Sequence, residues 1–377
     1  MPAIMTATSS AQDIRHMRHA LALAARGLGR VAPNPAVGCV IVSPNGNPGG
    51  RIVGRGWTGP GGRPHAETIA LGQAGVAARG ATAYVTLEPC AHHGKTPPCA
   101  EALVQAGIAR VVGAVEDPDP RVKGQGFAHL LEAGISVTTN VLASDAAILN
   151  EGFFDRVTKA RPLVTLKIAQ SLDGRTAAAS GESQWITGEA ARRVGHLMRA
   201  RHDAILVGIE TALKDDPDLT CRLPGLEQAS PLRIVLDSRL RLGDWSKLAQ
   251  SAKQVPTWVF TACANEGGAL RVCGVEVIRV AGDARGQPDI DAVLRVLAER
   301  GITRLLVEGG AIVHAAFLDR GVVDRLEVFT APMVLGNAGK GAVGALAALS
   351  LEEAPRFERT SCRSVGPDVL ESFVARA

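Results

Sequence analysis

Pro64-His65-Ala66-Glu67, answered by Glu88-Pro89-Cys90 and then Pro97-Pro98-Cys99, decides how the first half of this 377-residue chain is read. His65, Cys90 and Cys99 are residue types that a zinc ion takes as ligands, and a set of three protein donors keeps a fourth corner for water. Glu67, two residues past the histidine and outside the donor set, is placed to move protons. A structural zinc wants four protein donors, and His92 or His93 could supply the fourth. Such a site has no use for the His-x-Glu spacing, so the pattern reads as catalytic.

Around that pattern, helical and extended runs alternate. Ile14, Met17, Leu21 and Ala24 predict a helix over 11–27 that stops at Gly27. The apolar run Val37 to Val42 and a second run, Arg51 to Gly56, predict a hairpin whose turn holds Asn45-Gly46. The Ala/Leu-rich run 66–78 predicts a helix with Glu67 in its first turn, where the helix dipole favours a carboxylate. A strand over 82–87 ends just before Cys90, and a helix is predicted over 99–105. Strands over 111–115 and 135–140 and helices over 126–134 and 144–154 complete this half. Glu116-Asp117-Pro118-Asp119-Pro120 must be loop, because its prolines fit neither regular structure. The alternation predicts a three-layer α/β fold.

The length favours two domains. The helical pattern stops before Lys159-Ala160-Arg161-Pro162, which gives expected domains of 1–160 and 161–377. A formal charge of +4, with no concentrated basic or aromatic stripe, argues against a nucleic-acid partner. No apolar run has membrane-spanning length, and Met1 to Ser10 lacks the apolar core of a secretion signal. The seven cysteines are irregularly spaced and do not suggest a disulfide framework. A cytoplasmic protein is therefore expected. Cys39, within 37–42, and Cys263, after Trp258-Val259-Phe260, read as buried or inert thiols.

The second half predicts another α/β sheet, with strands at 163–168, 204–208, 232–237, 256–261, 275–280, 303–308 and 323–329. Helices are predicted at 188–201 and 290–300. Polar, glycine-punctuated loops follow the strands ending near 168 and 208, the end of an α/β sheet where ligands bind. Leu305-Leu306-Val307-Glu308-Gly309-Gly310-Ala311 reads as strand, acidic residue, glycine pair and helix, and such a helix start can present backbone N–H groups to a pyrophosphate. It is not the Gly-x-Gly-x-x-Gly fingerprint, so no Rossmann domain is expected on motif grounds.

Asn34 in Pro-Asn-Pro, His65-Ala66-Glu67 and the run Glu88 to Cys99 resemble the cytidine-deaminase-like superfamily. Common members separate their cysteines by two residues. The eight residues between Cys90 and Cys99, with His92 and Lys95 among them, are similar to the bifunctional riboflavin biosynthesis deaminase/reductase family. The resemblance implies a zinc deaminase in the first half, with Glu67 as acid/base and with Asn34, His92 and Lys95 lining the pocket for a phosphoribosylaminopyrimidine. Thr58 stands where many members carry a histidine. Leu166 to Arg175, Gly181 to Thr187, Thr211 to Thr220 and Leu305 to Ala311 resemble the family's reductase half, a relative of dihydrofolate reductase in fold. That likeness implies NADPH contacts at Ala169, Trp185, Thr211, Asp215 and Ser238. Its pyrophosphate would lie along Gly310, Ala311, Ile312, Val313, His314, Ala315 and Ala316. Substrate would meet Ser183, Arg199, Leu219, Arg222 and Glu308, while Lys167, Asp215 and Glu308 would orient the opened ribose imine and handle its proton. Ser238 and Arg239 could bind the phosphate that distinguishes NADP from NAD. A homo-oligomer, dimer or tetramer, is expected from the same resemblance. Two alternatives stay open at this point: an RNA or nucleoside base deaminase with an accessory C-terminal domain, and a zinc-stapled scaffold without activity. The long cysteine spacing counts against the first.

Overall fold

A computed structural model describes residues 10–44, 49–92, 97–120, 122–348 and 350–376. They form two compact units, one up to Ala160 and one from Arg161 onward.

In the first unit the elements run α1 (Ala11–Ala24), β1 (Gly38–Ser43), β2 (Arg51–Trp57), α2 (Ala66–Ala74), β3 (Thr82–Val85), α3 (Cys99–Gln105), β4 (Arg110–Gly113), α4 (Gln125–Glu132), β5 (Ser136–Thr138) and α5 (Ala143–Lys159). They build a five-stranded sheet of order β2-β1-β3-β4-β5, antiparallel on either side of β1 and parallel from β3 to β5. Every residue of β1 is buried, so its side chains feed two cores by simple alternation. Cys39 and Ile41 face Ala66 and Ala70 of α2, Leu103 of α3 and Leu130 of α4. Val40 and Val42 face Met17 and Ala20 of α1 and Ala146 of α5. Helices thus cover both faces, the three layers that the alternation predicts.

One close approach sets the height of α2 over the sheet. A Cβ on Gly56 would stand 2.1 Å from the Ala66 carbonyl oxygen, and one on Gly54 would stand 2.2 Å from that of Ala70. Only glycine at these two places in β2 lets the helix backbone settle this low.

The second unit runs β6 (Leu163–Ser171), β7 (Arg175–Ala177), α6 (Glu189–Ala200), β8 (Ala204–Gly208), α7 (Ile209–Asp215), β9 (Leu232–Leu236), α8 (Lys247–Gln250), β10 (Thr257–Thr261), α9 (Gly268–Val272), β11 (Glu276–Arg279), α10 (Ile290–Glu299), β12 (Arg304–Gly309), α11 (Ala311–Asp319), β13 (Arg325–Ala331), β14 (Lys340–Gly341), β15 (Phe357–Val365) and β16 (Asp368–Ala375). Nine strands form one sheet of order β11-β10-β9-β8-β12-β6-β13-β16-β15, and β7 pairs with β14 in a separate ribbon. From β11 to β13 all pairings are parallel. Ala204 and Leu206 of β8 pack into one core, Ile205 and Val207 into the other, as a parallel sheet covered on both faces requires.

Several details differ from the sequence reading. Where loops were expected after strands ending near 168 and 208, β6 runs on to Ser171 and α7 follows β8 directly. The helix expected over 144–154 continues to Lys159, where basic residues in its last turn suit the helix dipole; it stops at Ala160, whose φ is 53°. The hairpin of β15 and β16 was not anticipated. Seven of the nine β15 residues are exposed, so no apolar alternation marks this strand. The short strands β7 and β14 carry too few residues to show a period. Cys263 is half-buried, with the Thr261 hydroxyl 3.3 Å from its sulfur, whereas Cys39 is fully buried. The Asn45-Gly46 turn lies outside the described residues. Among the described residues no helix is long and apolar enough to cross a membrane.

Gly56→Ala is expected to lift the start of α2 off β2 and to destabilise the first unit by about 2–3 kcal/mol. Urea unfolding followed by circular dichroism would read this as a lower midpoint for one of the two units; an unchanged midpoint would show that the close approach costs nothing to lose.

Candidate active sites

In the first unit, two helix starts and one strand end deliver the chemistry. His65 is the N-cap of α2 and Glu67 lies in its first turn, 4% exposed. Cys90 follows β3 by five residues, and Cys99 is the first residue of α3. The Cys99 backbone N–H points at the Cys90 sulfur, 3.4 Å away, and the Ala100 N–H donates to the Cys90 carbonyl at 3.2 Å. These two bonds fold the chain back so that both sulfurs meet the imidazole. The His65 Nδ1 lies 3.2 Å from Cys99 Sγ and 3.7 Å from Cys90 Sγ, and all three donor atoms fall within 4.8 Å of one another. A tetrahedral zinc bonded at about 2.3 Å to sulfur and about 2.05 Å to nitrogen separates N from S by about 3.6 Å, so the donor set fits that ion.

Glu88 holds the Cys90 turn in place. Its buried carboxylate accepts backbone N–H bonds from Asp117 (3.2 Å), Gly124 (3.0 Å), Gly126 (2.8 Å) and Phe127 (3.3 Å). The segment leading into α4 is thereby tied to a residue two places before a zinc donor. Burial pushes the Glu67 carboxyl up to about 7, and negative charge on the Cys90 sulfur adds to the effect. The Cys99 and His65 side chains, hydrogen-bonded to Cys90, hold its thiol down at about 4, while the shared proton pushes Cys99 up.

The remaining sequence-predicted residues of this half fall out differently. Asn34 is half-buried against Gly62, where a Cβ would meet its amide nitrogen at 1.9 Å, just upstream of His65. His92 is exposed and does not join the three donors, so among the described residues it supplies no fourth ligand. His93 and Lys95 lie outside the described residues. Thr58 is buried: its oxygen accepts from the Val37 N–H at 2.9 Å, and its hydroxyl donates to the Pro35 carbonyl at 3.2 Å. The Thr58 hydroxyl thereby fixes the loop that bears Asn34.

In the second unit a cavity of about 920 Å³ runs along the C-terminal ends of β6, β12, β8 and β9. Lys167 and Ala169 line it from β6, Glu308 from β12, Thr211 and Asp215 from α7, and Ser238 from the end of β9. Ser183, Trp185, Leu219 and Arg222 enter from loops and Arg199 from α6. Along α11, Gly310 to His314 and Ala316 face the cavity. Ala315 does not; it is 5% exposed and belongs to the inward side of that helix.

A buried ion cluster forms one wall. Glu308 receives both prongs of Arg199, Nε at 2.7 Å and Nη2 at 2.9 Å, and Lys167 Nζ stands 3.7 Å from its second oxygen. Burial alone would raise the Glu308 carboxyl, but the Arg199 and Lys167 charges override it and hold it at about 2. At neutral pH Glu308 therefore has no proton to give. Of the duties expected for it, anchoring the two cations fits and supplying a proton does not.

Some lining residues were missed in the sequence. Arg192 and His196 share a face of α6 with Arg199, at helical spacing of 192, 196 and 199, and Arg192 stacks 4.6 Å over the Trp185 ring. That spacing was the available signal. Arg239, considered for the NADP phosphate, is exposed and outside the cavity lining; Arg241 and Lys247 line it instead.

Comparison with known proteins matches both units. Residues 10–115 match the family described as cytidine and deoxycytidylate deaminase zinc-binding region, and residues 162–370 match the RibD C-terminal domain. The riboflavin biosynthesis protein RibD of Escherichia coli is 42% identical over 374 residues, covering 96% of this chain and 99% of that protein. The crystal form 1 structure of Acinetobacter baumannii RibD superposes with a TM-score of 0.86 at 38% identity, covering 97% of this chain and 99% of the other. A Thermotoga maritima diaminohydroxyphosphoribosylaminopyrimidine deaminase/5-amino-6-(5-phosphoribosylamino)uracil reductase gives a TM-score of 0.84 at 35% identity, covering 97% and 99%. With a donor set and a cavity in the two matched regions and relatives of this identity along nearly its whole length, the chain belongs to the RibD family of riboflavin biosynthesis proteins.

Proposed function

We propose that this chain is a bifunctional enzyme of riboflavin synthesis. Residues 1–160 remove an amine from diaminohydroxyphosphoribosylaminopyrimidine with the help of zinc. Residues 161–377 reduce the ribosyl side chain of 5-amino-6-(5-phosphoribosylamino)uracil to ribityl with NADPH. The observation that carries this reading is the convergence of His65 Nδ1, Cys90 Sγ and Cys99 Sγ near the buried Glu67, on a chain that also holds the Lys167–Glu308–Arg199 cavity. Full-length relatives that are RibD proteins leave the RNA-deaminase and inert-scaffold readings without support.

In the deamination one C–O bond forms, one C–N bond breaks, and water is exchanged for ammonia. His65, Cys90 and Cys99 would hold a zinc ion, whose Lewis acidity would make water a nucleophile at neutral pH. Glu67 takes the proton that water loses, passes it to the ring nitrogen, and returns one to the departing amine. Its place in the first turn of α2 fixes it two residues from the histidine donor. Asn34, His92 and Lys95 hold the substrate in this reading.

In the reduction the cavity would hold NADPH, which would supply the hydride for the ribose carbon of the C=N bond, and the nitrogen of that bond then needs a proton. Lys167 carries N–H protons at the cavity wall and is held there by Glu308, so it is the group that orients and protonates the opened ribose. Asp215 helps position it, while Ser183, Leu219 and Arg222 contact substrate. Ala169, Trp185, Thr211, Gly310 to His314 and Ala316 bound the cofactor. The small phosphorylated substrate and seven free thiols fit a cytoplasmic location. A homo-oligomer belongs to the same proposal: β15 ends the nine-stranded sheet with an exposed strand, the kind of edge that a second copy covers.

Glu67→Gln is expected to abolish ammonia release, by at least about a hundredfold, while zinc content stays near one per chain; retained turnover would remove Glu67 from the mechanism. Lys167→Ala is expected to slow NADPH oxidation on pre-deaminated substrate by a similar factor without changing zinc content or ammonia release, and an unaffected rate would discredit the second site. Because the folded-state Glu308 carboxyl is held at about 2 against an ordinary 4.5, its contribution to stability is present above about pH 4.5 and lost as pH falls toward 2. The second unit should lose roughly 3 kcal/mol over that window through this group. Urea midpoints at a series of acid pH values would show the loss, and Glu308→Gln should flatten it.

A further inference from the structure

Asn150, a carboxamide in the middle of α5, is only 3% exposed and takes no part in the chemistry of the zinc site. A side-chain amide taken out of water destabilises a fold unless its donor and its acceptor are both met. Here one residue meets both. The Ala36 N–H donates to Oδ1 at 2.8 Å, and Nδ2 donates to the Ala36 carbonyl at 3.1 Å, the pair of bonds that an adjacent antiparallel strand would give. The two residues stand 114 positions apart, so the last helix of the first unit grips the segment just before β1.

That segment bears Asn34. Thr58 also holds it, through the Val37 N–H and the Pro35 carbonyl, so residues 35, 36 and 37 each have a backbone group tied to a buried side chain. Upstream, the Asn34 N–H donates to the Val31 carbonyl at 3.0 Å, and the Gly61 N–H donates to the Arg30 carbonyl at 2.8 Å. The Asn34 amide lies against Gly62, three residues before His65. Its place relative to the zinc donors therefore follows from how residues 35–37 are held.

The grip and the donors belong to different faces of the sheet. Ala146 of α5 enters the core shared with α1, whereas α2 and α3, whose starts carry His65 and Cys99, pack Ala66, Ala100 and Leu103 into the other core. Loosening Asn150 shifts the Asn34 loop and leaves the donor set in place.

We propose that Asn150 is a positioning residue for the deaminase pocket: by clamping both backbone groups of Ala36 it fixes the Asn34 amide where the aminopyrimidine is received. It acts on substrate binding and not on the zinc-assisted step. This rests on the reading above in which Asn34 contacts the substrate. A carboxamide carries donor and acceptor in one plane, so the clamp sets direction as well as distance. An apolar side chain of similar size would fill the space but leave the Ala36 N–H and C=O buried and unpaired, and the loop would move to meet water.

The test is steady-state ammonia release by the full chain, with zinc content and NADPH oxidation on pre-deaminated substrate measured on the same samples. Asn150→Leu is expected to raise KM for diaminohydroxyphosphoribosylaminopyrimidine by about tenfold to thirtyfold while kcat stays within about threefold. Zinc should stay near one per chain and NADPH oxidation should not change. Asn150→Asp keeps the acceptor and loses the donor, so its KM should fall between; it carries the test alone if the leucine variant does not fold. The decisive comparison is with Asn34→Ala and the double variant. If Asn150 acts through Asn34, the double variant should have the KM of Asn34→Ala alone, whereas multiplied effects would make Asn150 a brace unrelated to that contact and overturn the proposal. An unchanged KM in the Asn150 variants, or a loss of kcat and zinc together with it, would overturn it too while Asn34→Ala still raises KM. Should Asn34→Ala leave KM unchanged, the substrate reading of Asn34 would fall and this inference with it.

Discussion

Both sites rest on one constraint: parallel strands can bring several side chains to a common edge only if the following helices start there too. In the first unit β3 and β4 are parallel, and Cys90, Cys99 and His65 collect at the ends of strands and starts of helices. The unpaired N–H groups at a helix start favour negative charge, so two thiolates and a carboxylate are at home among them. The geometry is sensitive to how low α2 lies, and the sheet answers with glycines at 54 and 56 where any side chain would strike a helix carbonyl. The second unit repeats the plan over a longer sheet. Four adjacent strands from β6 to β9 give an elongated cavity, where the first unit's shorter sheet carries a compact three-donor cluster.

Electrostatics then divide the labour within each site. Glu67 and Glu308 are both buried carboxylates, yet they are pushed in opposite directions. Glu67 sits beside sulfur, so burial wins and the carboxyl is pushed up to about 7. Glu308 is gripped by Arg199 on two prongs and faced by Lys167, so the cations win and the group stays ionised. A carboxyl of the first kind can exchange protons during a reaction. One of the second kind can only hold cations in position, which in turn fixes where Lys167 points.

The parts of the molecule legible in the sequence were those with a strong period or a demanding residue type. The buried strands at 37–42 and 204–208, the helix starting at Ala66, and the His-x-Glu and two-cysteine pattern all announce themselves because burial or metal chemistry admits few substitutes. The hairpin of 357–375 did not, because seven of the nine β15 residues face solvent and follow no apolar rhythm. Arg239 and Arg241 illustrate the remaining blind spot. Two residues apart on a turn, they are equivalent as letters, and only the bonds from Asp237 to the 239 and 242 N–H groups decide which one reaches the cavity. Thr58 was visible as a departure, but its purpose needed coordinates, since a hydroxyl holding Val37 and Pro35 leaves no trace in spacing.

The number of donors in the first site is itself a functional statement. A zinc that only braces a fold is satisfied by four protein ligands, and the protein then gains nothing from keeping a carboxyl close by at the expense of burying it. Here, among the described residues, the cluster gathers one imidazole and two sulfurs, His92 is exposed and does not join it, and Glu67 is nevertheless kept 4% exposed. Burying that carboxyl costs stability, and folding alone gives no reason to bear the cost. Chemistry does, because a proton carrier shielded from bulk water acts only on what is bound in front of it. The Glu88 carboxylate makes the contrast plain: equally buried two residues before Cys90, it satisfies itself with four backbone N–H groups and so serves the architecture that Glu67 uses.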